Sequence, residues 1–170
     1  FHLYNRNANK KKGAQILGIH ISARRVKQQY PVAQWVELIR QLHASNPKVV
    51  FHIFWAPGSV DNPMHPGDDE KAYILKDTLK DIPITLIPTS TLESLIMGIQ
   101  TCGSMIMADG GAMHIAAALN LPIIALFGDS NPKRWRPWGV PQTIIQTDTH
   151  NVRDIKVSSI VDAWHTLMHR

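Results

Sequence analysis

Residues 105–119 constrain the fold more than any other stretch of this chain. An apolar run, Met105-Ile106-Met107-Ala108, stops at Asp109-Gly110-Gly111 and restarts as Ala112-Met113-His114-Ile115-Ala116-Ala117-Ala118-Leu119. The short apolar run reads as a strand buried on both faces, and the alanine-rich continuation as a helix. A strand of that kind needs helices on both sides, the arrangement of parallel sheets joined by β-α-β crossovers. The turn between the two carries a second implication. It aims the unpaired N–H groups and the positive dipole end of the new helix at one point, a ready site for phosphate. A nucleotide or sugar-phosphate ligand is the expectation.

The rest of the chain repeats the pattern. Apolar runs suited to strands occur at 15–21, 49–55, 84–87, 104–108, 123–127 and 143–146, and helical periodicity at 32–44, 68–79, 91–102, 112–119 and 158–169. Ser90-Thr91-Leu92-Glu93 has the spacing of a capping box, and Pro31 and Pro122 mark element boundaries. The alternation predicts a three-layer α-β-α, Rossmann-like domain with a mostly parallel sheet over 13–170, preceded at 1–12 by a basic leader or linker remnant. In such sheets ligands bind beyond the carboxyl ends of the strands, where the strand order reverses. Two proline-rich connections, 57–67 and 129–139, have the length of functional loops, and the second follows Phe127-Gly128 at a strand's carboxyl end.

With 170 residues, 44% hydrophobic and 18% charged, the chain suits one globular domain with a sizeable core. No apolar run approaches the roughly 18–20 residues that cross a bilayer. Phe1 to Lys12 is polar and basic, unlike a signal peptide, so a cytoplasmic location is expected. The chain opens on Phe1-His2-Leu3-Tyr4 without an initiating Met, which suggests a missing upstream segment. Cys102, the single cysteine, forms no internal disulfide and reads as a buried bystander. A net charge of +5 favours an anionic partner. The excess sits partly in Lys10-Lys11-Lys12 and Arg24-Arg25 and builds no long basic helix, so no nucleic-acid partner is expected.

Three predicted strand ends supply candidate ligand groups: Ser22 with the 24–27 region that includes Lys27, then Asp109-Gly110-Gly111, then Gly128-Asp129-Ser130. They combine hydroxyls, cations, backbone donors and a carboxylate, the set a diphosphate with its sugar requires. Taken alone, Asp-Gly-Gly is equally the mark of a tight turn that needs a positive φ. His114 lies in the first helical turn, where the dipole favours a neutral ring able to donate to a phosphate or sugar hydroxyl; a packing residue among alanines is the other reading. No histidine has a partner at metal-ligand spacing such as His-x-x-x-His together with a third ligand, so no metal is expected. The chain lacks a Gly-x-x-x-x-Gly-Lys-Ser/Thr loop, a Gly-x-Gly-x-x-Gly after the first strand and a Gly-x-Ser-x-Gly elbow. Nucleotide triphosphatases, ordinary dinucleotide dehydrogenases and serine hydrolases of the elbow type lose support accordingly.

Several ordered motifs together resemble the carboxyl-terminal half of glycosyltransferase family 9, the ADP-heptose:lipopolysaccharide heptosyltransferases of two-domain GT-B fold. They are Gly18-Ile19-His20-Ile21-Ser22-Ala23-Arg24-Arg25 with Tyr30-Pro31 and Gln34-Trp35-Val36-Glu37-Leu38-Ile39, the 109–119 segment, and Pro122 to Gly128 with Asn131-Pro132, Trp135 and Pro137. The resemblance implies a nucleotide-sugar donor domain whose substrate is ADP-heptose, with no cofactor besides. It implies that Gly110, Gly111 and His114 serve the diphosphate while Asp109 holds sugar hydroxyls, and that Ser22 and Lys27 lie near the phosphates. Counting back from Pro31 puts Gln28 in the family's lysine position and Lys27 one residue earlier. By the same resemblance Asp69 or Glu70 serves the ribose, and Ser90 stands where an apolar residue often meets the adenine. The base that activates the acceptor belongs to an amino-terminal acceptor domain absent from this chain, so the chain alone is expected to bind donor without transferring sugar. The full protein would act on lipopolysaccharide core, with peripheral association at the anionic inner face of the inner membrane. A GT-B enzyme using another nucleotide sugar, or a non-catalytic binding module of the same fold, are the alternatives.

Overall fold

A computed structural model describes residues 15–62 and 66–169; the expected leader at 1–12 lies outside them. The strands are β1 (Gln15–His20), β2 (Val49–Trp55), β3 (Ile84–Pro88), β4 (Ser104–Ala108), β5 (Ile123–Phe127) and β6 (Gln142–Gln146). They form one sheet in the order β3-β2-β1-β4-β5-β6, and every neighbouring pair is parallel. The helices are α1 (Val32–Ser45), α2 (Asp69–Thr78), α3 (Leu92–Gln100), α4 (Gly111–Ala118), the single turn α5 (Pro132–Trp135) and α6 (Val157–Met168).

Alternate strand residues feed two cores on opposite faces, as the period of two requires. Leu17, Ile19, Phe51, Ile53, Ile106, Ile124 and Leu126 meet Trp35, Leu38, Leu42, Ala72, Leu75 and Trp164 of α1, α2 and α6. Phe54, Met105, Met107, Ile123, Ala125 and Phe127 meet Ile99, Met113 and Ala116 of α3 and α4. Cys102 is buried in this second core. Two buried polar groups pair across elements far apart in the chain. The Trp164 indole donates to Ser104 Oγ at 3.2 Å. The Tyr30 hydroxyl donates to the Ile155 carbonyl at 3.0 Å, and burial raises its pKa to about 12.

Two local expectations change. The start of α3 is capped by Thr91 and not Ser90, and its reciprocal partner is Ser94 in place of Glu93: Thr91 Oγ1 accepts from Ser94 N at 3.1 Å while Ser94 Oγ accepts from Thr91 N at 3.1 Å. A serine hydroxyl three positions on closes the same reciprocal pair as a carboxylate. The 129–139 connection is also not irregular throughout. Asn131 accepts from Lys133 N at 2.9 Å and Pro132 takes the first helical position, which together start α5.

Candidate functional site

The chain runs outward from β1 to β3 and returns to β4 beside β1, so the strand order reverses between β1 and β4. In parallel sheets the loops that leave the strands on either side of such a reversal, at their carboxyl ends, border the ligand position. On the β1 side, Ser22 Oγ accepts from Ala56 N at 2.9 Å, tying the loop to the end of β2. On the β4 side, Asp109 N extends the ladder by donating to the Leu126 carbonyl at 3.0 Å, after which Gly110 begins the turn into α4.

The two turn glycines answer no demand from the chain itself. Gly110 has φ 165° and ψ −177°, an extended conformation open to any residue, and Gly111 is not among the positive-φ glycines. A Cβ at either position meets no atom within 4 Å. The tight-turn explanation for Asp-Gly-Gly therefore fails, and so does close packing. What the glycines leave is open space in front of the first turn of α4. No side chain caps that turn; Met113 N turns back to the Gly110 carbonyl at 3.1 Å. Backbone N–H groups with the dipole behind them face this space.

Gly128 is a different kind of glycine. It is buried, and a Cβ on it would lie 2.3 Å from the Lys27 carbonyl oxygen. Its missing side chain lets the 3-10 turn at Val26–Gln28 settle on the end of β5. That turn points the Lys27 side chain to solvent and buries Gln28 to 6% exposure. Gln28 Nε2 donates to Asp109 Oδ2 at 3.2 Å and to Ser130 Oγ at 3.3 Å. Ser130 and Gly128 are held from the other side, where Gln146 Nε2 on β6 donates to both carbonyls at 3.0 and 2.7 Å. Of the sequence candidates, the fold thus joins Asp109 to the β5 loop through Gln28. Arg25 and Asp129 form an exposed pair at 3.7 Å, of a kind worth little in water.

His114 is exposed on α4, with its ring edge-on to Trp135 at 6.4 Å. Arg134 stacks over Trp135 at 5.1 Å and Arg136 over Trp138 at 4.4 Å. No local periodicity announces the His114–Trp135 contact; the indole arrives from the next loop. Asp69 is already engaged, its Oδ1 accepting from the Trp55 indole at 2.7 Å, whereas Glu70 is exposed. Both line an open cavity of about 680 Å³ along α2 that none of Ser22, Asp109, Gly110, Gly111 or His114 reaches.

His20 is the last residue of β1. Its Nδ1 lies 3.2 Å from the Ser22 carbonyl, so that nitrogen carries the proton. Burial lowers its pKa to about 4, against the weaker upward pulls of the Ser22 hydrogen bond and the Asp68 charge. Above the unfolded value of about 6.5 both states are neutral and the ring costs nothing. Between there and about 4 the unfolded chain takes up a proton that the folded chain refuses, so stability falls with falling pH. Chemical denaturation at pH 7 and pH 5 is expected to show a loss of about 2 kcal/mol from this ring. A His20→Gln variant should lose correspondingly less over that interval; equal losses would refute the assignment.

A fully parallel sheet in the order β3-β2-β1-β4-β5-β6, with an uncapped helix start at its reversal point, defines a doubly wound, Rossmann-like domain. The model of glycosyltransferase family 9 (heptosyltransferase) matches residues 2–165, and the chain belongs to that family. It is 29% identical over 154 residues to lipopolysaccharide heptosyltransferase 2 of Salmonella typhimurium, covering 82% of this chain and 42% of that one. Over 81 residues it is 33% identical to lipooligosaccharide heptosyltransferase 2 of Haemophilus influenzae, covering 48% of this chain and 23% of the other. The chain thus spans less than half the length of these relatives. The fold matches the ADP-heptose lipopolysaccharide heptosyltransferase II of E. coli with a TM-score of 0.76 at 21% identity, over 94% of this chain and 48% of that one. It matches a family 9 glycosyltransferase from Veillonella parvula with the same score at 19% identity, over 91% and 46%. These likenesses establish one half of the GT-B architecture.

Proposed function

We propose that this chain is the donor-binding half of a heptosyltransferase-like glycosyltransferase, holding a nucleotide diphosphate sugar whose sugar passes to lipopolysaccharide core. The observation that carries the proposal is the pair Gly110-Gly111. Neither glycine is required by backbone conformation or packing, and both clear the approach to an uncapped helix start at the reversal point. A diphosphate seated there has its charge met by N–H groups and the helix dipole, and the same groups stabilise the leaving nucleotide diphosphate as the sugar departs. In this reading Asp109, one residue before, accepts from sugar hydroxyls. In the same reading His114, exposed on α4, and Ser22, on the loop after β1, also serve the diphosphate, and Lys27 is exposed to solvent.

Relatives named as heptosyltransferases support ADP-heptose as the donor, as does the fold shared with an E. coli heptosyltransferase solved with ADP at a TM-score of 0.75. No cofactor or metal enters this reading, since helix dipole and backbone donors meet the phosphate charge. In this reading the base that deprotonates the acceptor comes from the length of the relatives that this chain does not span, and residues 1–170 by themselves bind donor without transferring sugar. No described helix is long and apolar enough to cross a membrane. The net charge of +5 and the exposed Lys133, Arg134 and Arg136 support work beside an anionic membrane face, on the cytoplasmic side of the inner membrane.

Calorimetric titration with ADP, UDP and ADP-heptose tests the reading. ADP should bind more tightly than UDP, and ADP-heptose more tightly than ADP. UDP preference would move the assignment to another nucleotide sugar, and no binding to any of them would refute it. Asp109→Ala is expected to reduce ADP-heptose affinity about tenfold, the scale of one hydrogen bond to a charged group, with ADP nearly unchanged. An equal loss for both ligands would take Asp109 off the sugar.

A further inference from the structure

We infer that Gln28 is the positioning residue that presents Asp109 to the donor's sugar, and that it thereby sets the preference for sugar nucleotide over bare nucleotide. The inference rests on the donor-binding reading and assigns a part of that site to a residue outside it. Gln28 is 6% exposed at the end of the 3-10 turn Val26–Gln28. Its Nε2 reaches Asp109 Oδ2 at 3.2 Å and Ser130 Oγ at 3.3 Å. The atom facing Asp109 must be the nitrogen, because a carboxylate accepts and the amide oxygen cannot donate to it.

One amide nitrogen carries two hydrogens, and here each has an acceptor in a different loop. The loops leaving β1, β4 and β5 are thereby joined at a single buried group. Asp109 Oδ2 accepts this bond, which restricts rotation of the carboxylate and leaves lone pairs on both oxygens for the ligand. With both hydrogens committed, Gln28 has no donor left for a phosphate. Its contribution falls on the sugar side of the ligand, whereas an ammonium group at the same place would also add charge to the diphosphate side. The backbone cooperates: Gln28 N donates to the Arg25 carbonyl at 2.9 Å, and Gly128 admits the turn against β5.

The test is titration of the chain and its Gln28→Glu and Gln28→Lys variants with ADP and with ADP-heptose, alongside NMR of the Gln28 side-chain amide without ligand. Gln28→Glu keeps the size of the side chain but sets a carboxylate against Asp109. It is expected to lower the ADP-heptose to ADP affinity ratio about tenfold, the repulsion between the added carboxylate and the diphosphate being common to both ligands and cancelling in that ratio. Gln28→Lys donates to the same carboxylate and should retain the preference. A Gln28→Glu variant that keeps the original ADP-heptose to ADP ratio overturns the inference. The amide signals decide the bridge independently of any nucleotide: Asp109→Ala should shift one of the two Gln28 amide protons and Ser130→Ala the other, and unshifted signals overturn it. Should the unsubstituted chain bind neither nucleotide while those signals respond, the donor-binding reading fails and the bridge stands.

Discussion

Replacing Gly111 with valine is expected to weaken ADP binding about a hundredfold or more, close to 3 kcal/mol, while the chain melts where it did before. The argument is geometric. A Cβ at Gly111 meets no atom of the chain within 4 Å, and the backbone there is not in the left-handed region, so the folded state accommodates the branch without strain. Gly111 is the first residue of α4, where a valine in place of glycine is neutral or slightly favourable for the helix. The two methyl groups enter the space in front of the helix start, through which a diphosphate must approach the N–H groups. Calorimetry and thermal melting together read the two halves. Undiminished ADP affinity would remove the diphosphate from this helix start; a large drop in melting temperature would mean that the glycine serves the fold.

Gly128→Ala should show the opposite pattern, a loss of about 3 kcal/mol in stability and a fall in melting temperature on the order of 10 °C. The added Cβ would lie 2.3 Å from the Lys27 carbonyl oxygen and 2.9 Å from its carbon, and both are backbone. Backbone yields less readily than a side-chain end, and this turn is tied at two points, Gln28 N to Arg25 O at 2.9 Å and Gln29 N to Val26 O at 3.1 Å. Relief comes only by lifting the turn, which draws Gln28 away from Asp109. The variant is therefore expected to lose ADP-heptose preference along with stability. Unchanged melting in denaturant and heat would show that the turn shifts freely, and would sink the packing role given to Gly128.

These two glycines show how much of the site was legible. From sequence, Gly111 and Gly128 look alike, since each stands in the turn that leaves the carboxyl end of a short apolar strand. One opens onto empty space and the other sits against a carbonyl, a difference made by the turn that crosses over β5. Gln28 is a similar case. Its place relative to Pro31 marks it as occupying a position of interest, yet nothing local states that its amide will meet a carboxylate 81 residues away. Asp69 shows the reverse: an acidic residue at a helix start reads as available, and the Trp55 indole claims one of its oxygens.

The amino-acid sequence by itself determined the kind of each element and the chemistry at the start of α4. Those features follow from short-range causes: alternation of apolar residues, turn residues at strand ends, and the dipole and N–H groups at any helix start. It also carried enough ordered motifs to place the chain in its family. Only the tertiary structure decided that β1 lies beside β4, that Gly128 serves packing, that His114 meets Trp135 and that Gln28 joins three loops. Strand order and loop contacts come from burying both faces of one sheet at once, a condition on the whole chain that no local window contains.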